Sequence, residues 1–178
     1  MTGFPKPSPP SDKQILRQRA IVLAKTADEP AVRAETLDMV VFRIGSERWA
    51  VESRYVSGVI DTQRLAVLPR VPPFVRGVVY ARGMVVAVLD LGRLIGLDEQ
   101  ALDDLHRIVL VASGEHRIGL LAGMEVNVQQ VAVADIGAVT DTPGIPGPER
   151  LKGVTADGLI VLDVERLCAD VRIVINDE

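Results

Sequence analysis

The stretch that decides the fold is Gly77–Gly96, GVVYARGMVVAVLDLGRLIG. The β-branched residues on either side of Arg82-Gly83 predict two strands joined by a tight turn, with the second strand buried on both faces. Asp90 suits a helix N-cap, because its carboxylate can accept a free backbone N–H of the first helical turn. Gly96 suits the position just past the end of that short helix.

The same order of elements recurs near the C-terminus. The string VLDVERL at residues 161–167 matches VLDLGRL at residues 88–94, and both follow a strand and a tight turn. A looser match pairs residues 40–51 with residues 109–120. Two β-rich halves can look alike by chance, but here the order of elements agrees as well as the local strings. We therefore predict an internal duplication with halves at about 37–104 and 105–175.

Composition and charge limit the classes of function. Of the 178 residues, 48% are hydrophobic and only 3% aromatic, which favours a mainly β protein. The net charge of −4 and the lack of a basic stripe argue against a nucleic-acid partner. A single cysteine, Cys168, excludes a disulfide within the chain. Charged residues interrupt every apolar run and no signal peptide is recognised, so we expect a cytoplasmic protein without direct membrane insertion.

The N-terminal region has two parts. Residues 1–10 hold four prolines and are predicted to form a disordered tail. Ser11 and Gln14 then form a capping box, and apolar residues at helical spacing predict an amphipathic helix within residues 11–29. This helix either packs on its own domain, the interpretation we favour, or docks into the groove of a partner.

No pattern typical of catalysis, metal binding or cofactor binding is found. His106 and His116 lack metal-ligand spacing and are interpreted as surface residues. Cys168 lies in an apolar stretch without a neighbouring base, which indicates a buried thiol. Asp90 and Asp163 could be imagined as a catalytic pair, but their equivalent places in the repeat favour two helix caps. We therefore expect no enzyme, no metal and no cofactor.

Residues 77–91 resemble the signature G-x-x-N-L-R-G-x-x-x-P-V-x-D-L of the CheW family, the coupling proteins of bacterial chemosensory arrays. Further segments that resemble the family follow in the family's order over about residues 37–171. These segments are residues 40–51, Val56-x-x-Val59, residues 68–77, Gly119-Leu120-Leu121 and residues 151–164.

The resemblance implies a fold and a role. The fold would be two small five-stranded SH3-like β-barrels that share a hydrophobic core, with short helices. The role would be that of a non-enzymatic adaptor in a receptor array. Its partners would be the cytoplasmic tip of a chemoreceptor and the regulatory domain of a CheA-type histidine kinase, with weak or no self-association.

The resemblance also carries over candidate partner-binding residues, at positions 56, 58, 59, 80, 82, 83, 121 and 123. They are Val56, Gly58, Val59, Tyr80, Arg82, Gly83, Leu121 and Gly123. Three of them depart from the family pattern, because Gly58 replaces an acidic residue, Tyr80 an Asn and Gly123 an Asp. The alternative function is therefore a divergent paralogue that binds only the kinase or another CheW. We expect Arg82 to be partly buried, with its guanidinium bonded to loop carbonyls or to a carboxylate.

Deletion of residues 1–29 tests the two interpretations of the N-terminal helix. Packing on its own domain predicts a lower melting temperature, because partial burial of four apolar side chains stabilises by several kcal/mol at about 0.8 kcal/mol per methylene. Thermal unfolding of the full and shortened chains measures this difference. An unchanged melting temperature together with lost partner binding would support docking to a partner.

Overall fold

The computed structural model describes residues 35–96, 105–139 and 148–170, which all belong to one compact unit, Glu35–Glu178. The predicted tail and the predicted N-terminal helix lie outside these residues. The strands within them are β1 (Thr36–Ile44), β2 (Glu47–Glu52), β3 (Val56–Asp61), β4 (Val75–Ala81), β5 (Met84–Leu89), β6 (Leu105–Ser113), β7 (His116–Gly123), β8 (Val126–Ala132), β9 (Ile136–Gly137), β10 (Leu151–Thr155) and β11 (Leu159–Leu162). The α-helices within them are α1 (Leu91–Ile95) and α2 (Val164–Ala169).

The strands form two curled sheets, and each sheet takes strands from both sequence halves. The first sheet has the order β8-β1-β2-β11-β10-β9, and the second has the order β3-β6-β7-β5-β4. The mainly β prediction is confirmed, with β9 as a two-residue sixth strand in the first sheet. The sheets do not follow the boundary predicted near residues 104 and 105, because each sheet contains strands from both sides of it.

Parallel pairing at the centre of each sheet joins the two repeats. In the first sheet β2 pairs with β11, and Ala50 lies opposite Val161. In the second sheet β5 pairs with β7, and Val88 lies opposite Gly119. The other named strand pairs of the two sheets are antiparallel. Each repeat therefore completes the sheet that the other repeat begins.

The buried side chains form three clusters. The largest draws on both sheets and is called the shared core here. It includes Phe42, Trp49 and Leu162 of the first sheet and Leu89, Val109 and Leu120 of the second. Two smaller clusters each fill the inner face of one sheet, around Met39 and Val161 in the first and around Val79 and Ile108 in the second. Each sheet packs one face against the shared core and the other against its own smaller cluster. Strands with two buried faces need apolar residues on both, which explains why they are rich in valine.

The two repeats agree at the level of single hydrogen bonds. The Asp90 carboxylate accepts the backbone N–H of Arg93 at 3.0 Å, and the Asp163 carboxylate accepts that of Arg166 at 3.0 Å. Both predicted N-caps are therefore confirmed. Gly96 ends α1 in the left-handed conformation with φ 77°, as predicted.

Polar contacts join the repeats beside the first parallel strand pair. The Lys152 ammonium lies 2.5 Å from the buried Glu52 carboxylate, and the Tyr55 hydroxyl donates to Glu165 at 2.6 Å. This hydrogen bond to Glu165 raises the pKa of the Tyr55 phenol. A buried carboxylate needs such a partner, because an unpaired buried charge costs several kcal/mol.

The central hairpin differs from the prediction at its tip. Strands β4 and β5 are joined at Arg82-Gly83, as predicted, and both turn residues have positive φ, 51° and 84°. The prediction that β5 is buried on both faces is wrong at its first two residues, because Met84 and Val85 are exposed. They precede the part of β5 that pairs with β7, which begins at Ala87. Burial of β5 is limited to the part that has neighbours on both sides.

Gly77 allows a close approach between β4 and the connection that precedes it. It sits at a register irregularity with φ 146°, and a Cβ atom there would lie 2.1 Å from the Ala66 carbonyl oxygen. Gly153 is the equivalent residue of the second repeat. A Cβ atom there would lie 2.3 Å from the Gly137 carbonyl oxygen. Any side chain at either position would push two backbone segments apart.

Replacing Gly77 with alanine should therefore destabilise the fold strongly. The clash and the unfavourable φ together should cost about 2–4 kcal/mol, which corresponds to a melting temperature lower by about 5 °C or more. Gly58→Ala is the matched control, because the nearest atom to its Cβ would lie at an ordinary 3.9 Å. Thermal unfolding followed by circular dichroism measures both variants. Equal melting temperatures for the two would contradict the packing argument.

Candidate functional site

The structure brings Gly58 of β3 close to Arg82 of the β4–β5 turn, although the two residues lie far apart in sequence. A Cβ atom on Gly58 would lie 3.9 Å from an Arg82 guanidinium nitrogen. Val56 and Val59 belong to the same strand, β3, and Tyr80 and Gly83 belong to the β4–β5 hairpin. Six of the eight candidate residues therefore lie on β3 or on the hairpin that curls toward it.

Arg82 does not have the environment that the sequence analysis expected. It is exposed, and among the described residues no carbonyl or carboxylate accepts a hydrogen bond from its guanidinium. The expectation of partial burial is wrong, because Gly58 offers no side chain to cover or pair the guanidinium. The planar, permanently charged group is instead presented to solvent beside β3.

Exposed apolar side chains also lie on β3 and on the hairpin that carries Arg82. Tyr80 is 69% exposed, and Val85, its cross-strand partner, is also 69% exposed. Val59 is 41% exposed and Met84 38%. Cross-strand neighbours that are both apolar and both exposed are more informative than scattered surface residues, because they form a continuous apolar surface. Val85 and Met84 were missed in the sequence, where a run of valines looked like a buried strand.

Two of the candidate residues lie elsewhere. Leu121 is buried in the cluster on the inner face of the second sheet, so its side chain cannot reach a partner directly. Gly123 is buried at the end of β7, opposite Leu105. Gly58 pairs with Leu110 of the same strand β6, five residues from Leu105. At about 3.3 Å per residue, Gly123 is roughly 17 Å from the Gly58–Arg82 contact along β6.

Gly123 instead lines an open cleft of about 380 Å³. The cleft lies among the β1–β2 turn, the start of β6 and the β7–β8 turn. Its lining residues are Arg43, Gly45, Leu105, His106, Gly123, Met124 and Glu125. The Arg43 guanidinium already donates to the Ser46 carbonyl at 2.9 Å, and no charged side chain of the lining is buried. The cleft thus lacks the convergent polar groups that fix a small ligand.

The side chains that could take part in catalysis or metal binding do not form a cluster among the described residues. Both histidines are exposed, as predicted. Cys168 is buried, as predicted, and burial raises the pKa of its thiol to about 11. Within the described ranges there is no group of three or more His, Cys, Asp or Glu residues that could hold a metal ion. The same ranges contain no helix long and apolar enough to span a membrane.

The fold agrees with one family. The family model for the CheW-like domain matches residues 38–172. The chain therefore belongs to the CheW family, whose members are non-enzymatic scaffold and adaptor proteins of chemotaxis.

Individual relatives support this assignment. The chain is 35% identical to the protein FrzA of Myxococcus xanthus over 95 residues, a match that covers 53% of this chain and 59% of that protein. It is 24% identical to the chemotaxis protein CheW of Treponema pallidum over 144 residues, covering 77% of this chain and 85% of the relative. The scaffolding protein TtCheW of Thermoanaerobacter tengcongensis shares the fold, with a TM-score of 0.63 and 22% identity over 72% of this chain and 90% of that one.

The buried thiol predicts a pH dependence of stability. Because the folded pKa of about 11 lies above the ordinary value of 9.0, the folded state holds the proton more tightly. This contribution is complete below pH 9 and is lost as the pH rises to about 11, and it amounts to about 3 kcal/mol. Denaturant unfolding of the wild type and of Cys168→Ala should show a stability difference that shrinks over this range. A difference that stays constant with pH would contradict the burial of the thiol.

Proposed function

We propose that this chain is an adaptor that couples chemoreceptor tips to a CheA-type histidine kinase in a bacterial chemosensory array. The observation that carries the proposal is the exposed cross-strand pair of Tyr80 and Val85, with the exposed Arg82 at the turn of the same hairpin, on a CheW-type scaffold. This surface combines exposed apolar area with an exposed charge, and it lies on strands held by the shared core.

The proposed adaptor works by binding its partners and fixing their positions, and it catalyses no reaction. An adaptor acts by holding two partners in a fixed relative position, so it needs a rigid body and separate contact surfaces. The two sheets share one large core, and the candidate surface occupies only the β3 and hairpin side of the second sheet. The other partner would bind elsewhere on the exterior of the described residues. Rigid presentation also lowers the entropic cost of binding.

A second candidate is a divergent CheW that binds only the kinase or another CheW. The specific observation in its favour is Gly58, which leaves Arg82 without the neighbouring carboxylate that the family resemblance implies. The burial of Gly123 points the same way, because this position offers no side chain to a receptor. Separate binding measurements with a receptor tip and with a kinase regulatory domain distinguish the two candidates.

Reconstituted kinase activity tests the coupling function. The full chain should change the autophosphorylation of a cognate kinase only when receptor is present, because the adaptor itself supplies no chemistry. A change of comparable size without receptor would contradict coupling.

The variant Tyr80→Ser tests whether the coupling measured in this assay depends on the proposed surface. It removes an aromatic side chain from the centre of the proposed surface and should weaken partner binding about tenfold or more, as expected for an interface hot spot. Val128→Ser is the matched control, because Val128 is 70% exposed but lies on the first sheet. Melting temperatures of both variants should equal that of the wild type. If both variants lost the same amount of partner binding, the proposal that the β4–β5 hairpin forms the binding surface would be contradicted.

A further inference from the structure

The second sheet has one strongly basic edge in an otherwise acidic protein. From residue 62 to residue 89 the sequence contains no Asp or Glu, but it contains four arginines spaced six residues apart. They are Arg64, Arg70, Arg76 and Arg82, and all four are exposed. The whole chain has 24 acidic and 20 basic side chains, so this concentration of positive charge is local. The expectation that the chain lacks a basic stripe is therefore wrong for this segment.

The fold assembles these arginines along β4. An antiparallel bridge between Ala66 and Val78, with two hydrogen bonds of 2.8 Å, places the connection from β3 alongside β4. This direction puts Arg64 at the Arg82 end of the strand and Arg70 at the Arg76 end. We call the four arginines and the β4 edge that they flank the arginine strip. From Arg76 to Arg82 it is about 20 Å long at about 3.3 Å per residue.

The backbone shows that two of these arginines are held at a conformational cost. Within the described residues only Arg70 and Arg82 are non-glycine residues with positive φ, at 62° and 51°. The left-handed region costs a residue with a Cβ about 1 kcal/mol or more, and Gly or Asn fits it better. Turn formation therefore does not explain arginine at either place. Strained residues that persist in this way point to a function outside the fold.

Apolar side chains lie between the charges. Of the eight large hydrophobic residues exposed in the described part of the chain, five fall between residues 67 and 85. They are Val67, Leu68, Tyr80, Met84 and Val85. A solvated basic edge does not need this apolar area, whereas a protein-binding surface uses both, with apolar contacts for affinity and charges for orientation.

We propose that the arginine strip binds an acidic amphipathic helix of a partner protein. A strand is excluded as the added element at the centre of the strip, because the Val78 N–H and C=O are already paired with Ala66. A length of about 20 Å matches about four helical turns, so carboxylates on one helix face can reach arginines at both ends. The segment from residue 62 to residue 89 has no carboxylate of its own to pair with these arginines, and apolar residues of the helix would cover Tyr80 and Val85. The identity of the protein that carries this helix rests on the coupling function proposed above.

The test separates charge from stability. In Arg70→Asn/Arg82→Asn, both replacements suit the left-handed conformation, so the melting temperature should be unchanged or higher. The control Arg43→Asn/Arg117→Asn removes the same charge from two exposed arginines of β1 and β7. The probe is a synthetic helix of about 20 residues with Glu and Leu on one face. Its affinity for the full chain is measured by fluorescence anisotropy at about 50 mM and about 500 mM salt.

The strip variant should bind the peptide at least about tenfold more weakly than the wild type, while the control variant should not. Wild-type binding should weaken with salt, because exposed charges are screened. If the strip variant binds as well as the control variant, or if anionic vesicles or an oligonucleotide bind and the peptide does not, the proposal is wrong.

The same variants are then measured with a receptor tip and with a kinase regulatory domain. If peptide binding requires the arginine strip but neither protein binds the wild-type chain, the proposed coupling function is wrong and the proposal for the arginine strip is supported. If both proteins bind the wild type and the strip variant equally, the coupling function stands and the strip has no role in it.

Discussion

Two parallel strand pairs, β2 with β11 and β5 with β7, connect the sequence repeats at the centre of both sheets. Parallel strands that come from different repeats cannot be joined by a hairpin, so their pairing depends on long-range packing. The shared core supplies this packing, because Trp49, Leu89 and Leu162 lie in one cluster that includes both sheets. Neither repeat completes a sheet on its own, so we expect the two halves to fold together.

This interlocking suits a protein that acts by position. An adaptor that flexed between its sheets would transmit geometry poorly, whereas one shared core keeps the surfaces of both sheets in register. Against this rigid background the β4–β5 hairpin stands out, because it presents Tyr80 and Val85 to solvent and holds Arg82 in an unfavourable conformation. The stabilising contacts thus lie in the core, whereas the unfavourable features, exposed apolar side chains and a strained backbone, lie on the proposed binding surface.

Local chemistry explains which features could be predicted from the sequence. Asp90 and Asp163 were recognised as caps because the bond from an N-cap carboxylate spans only three residues. The strand exchange between repeats could not be predicted, since it depends on which strands meet at long range. The exposure of Val85 depends on where pairing with β7 begins, and the burial of Leu121 depends on which face of β7 meets the cluster around Val79 and Ile108; residue type marks neither. Arg82 was expected to find a partner, but the decisive fact is the missing side chain of Gly58 across the barrel.

Native-state hydrogen exchange tests the interlocked fold most directly. The account predicts that the backbone amides of the two parallel pairs, at residues 48–50 with 159–161 and 87–89 with 118–120, share one opening free energy equal to that of global unfolding. Elements that fold only together must also open together. If one pair exchanged through an opening of much lower free energy while the other stayed protected, the sheets would be separate folding units and the central claim would be contradicted.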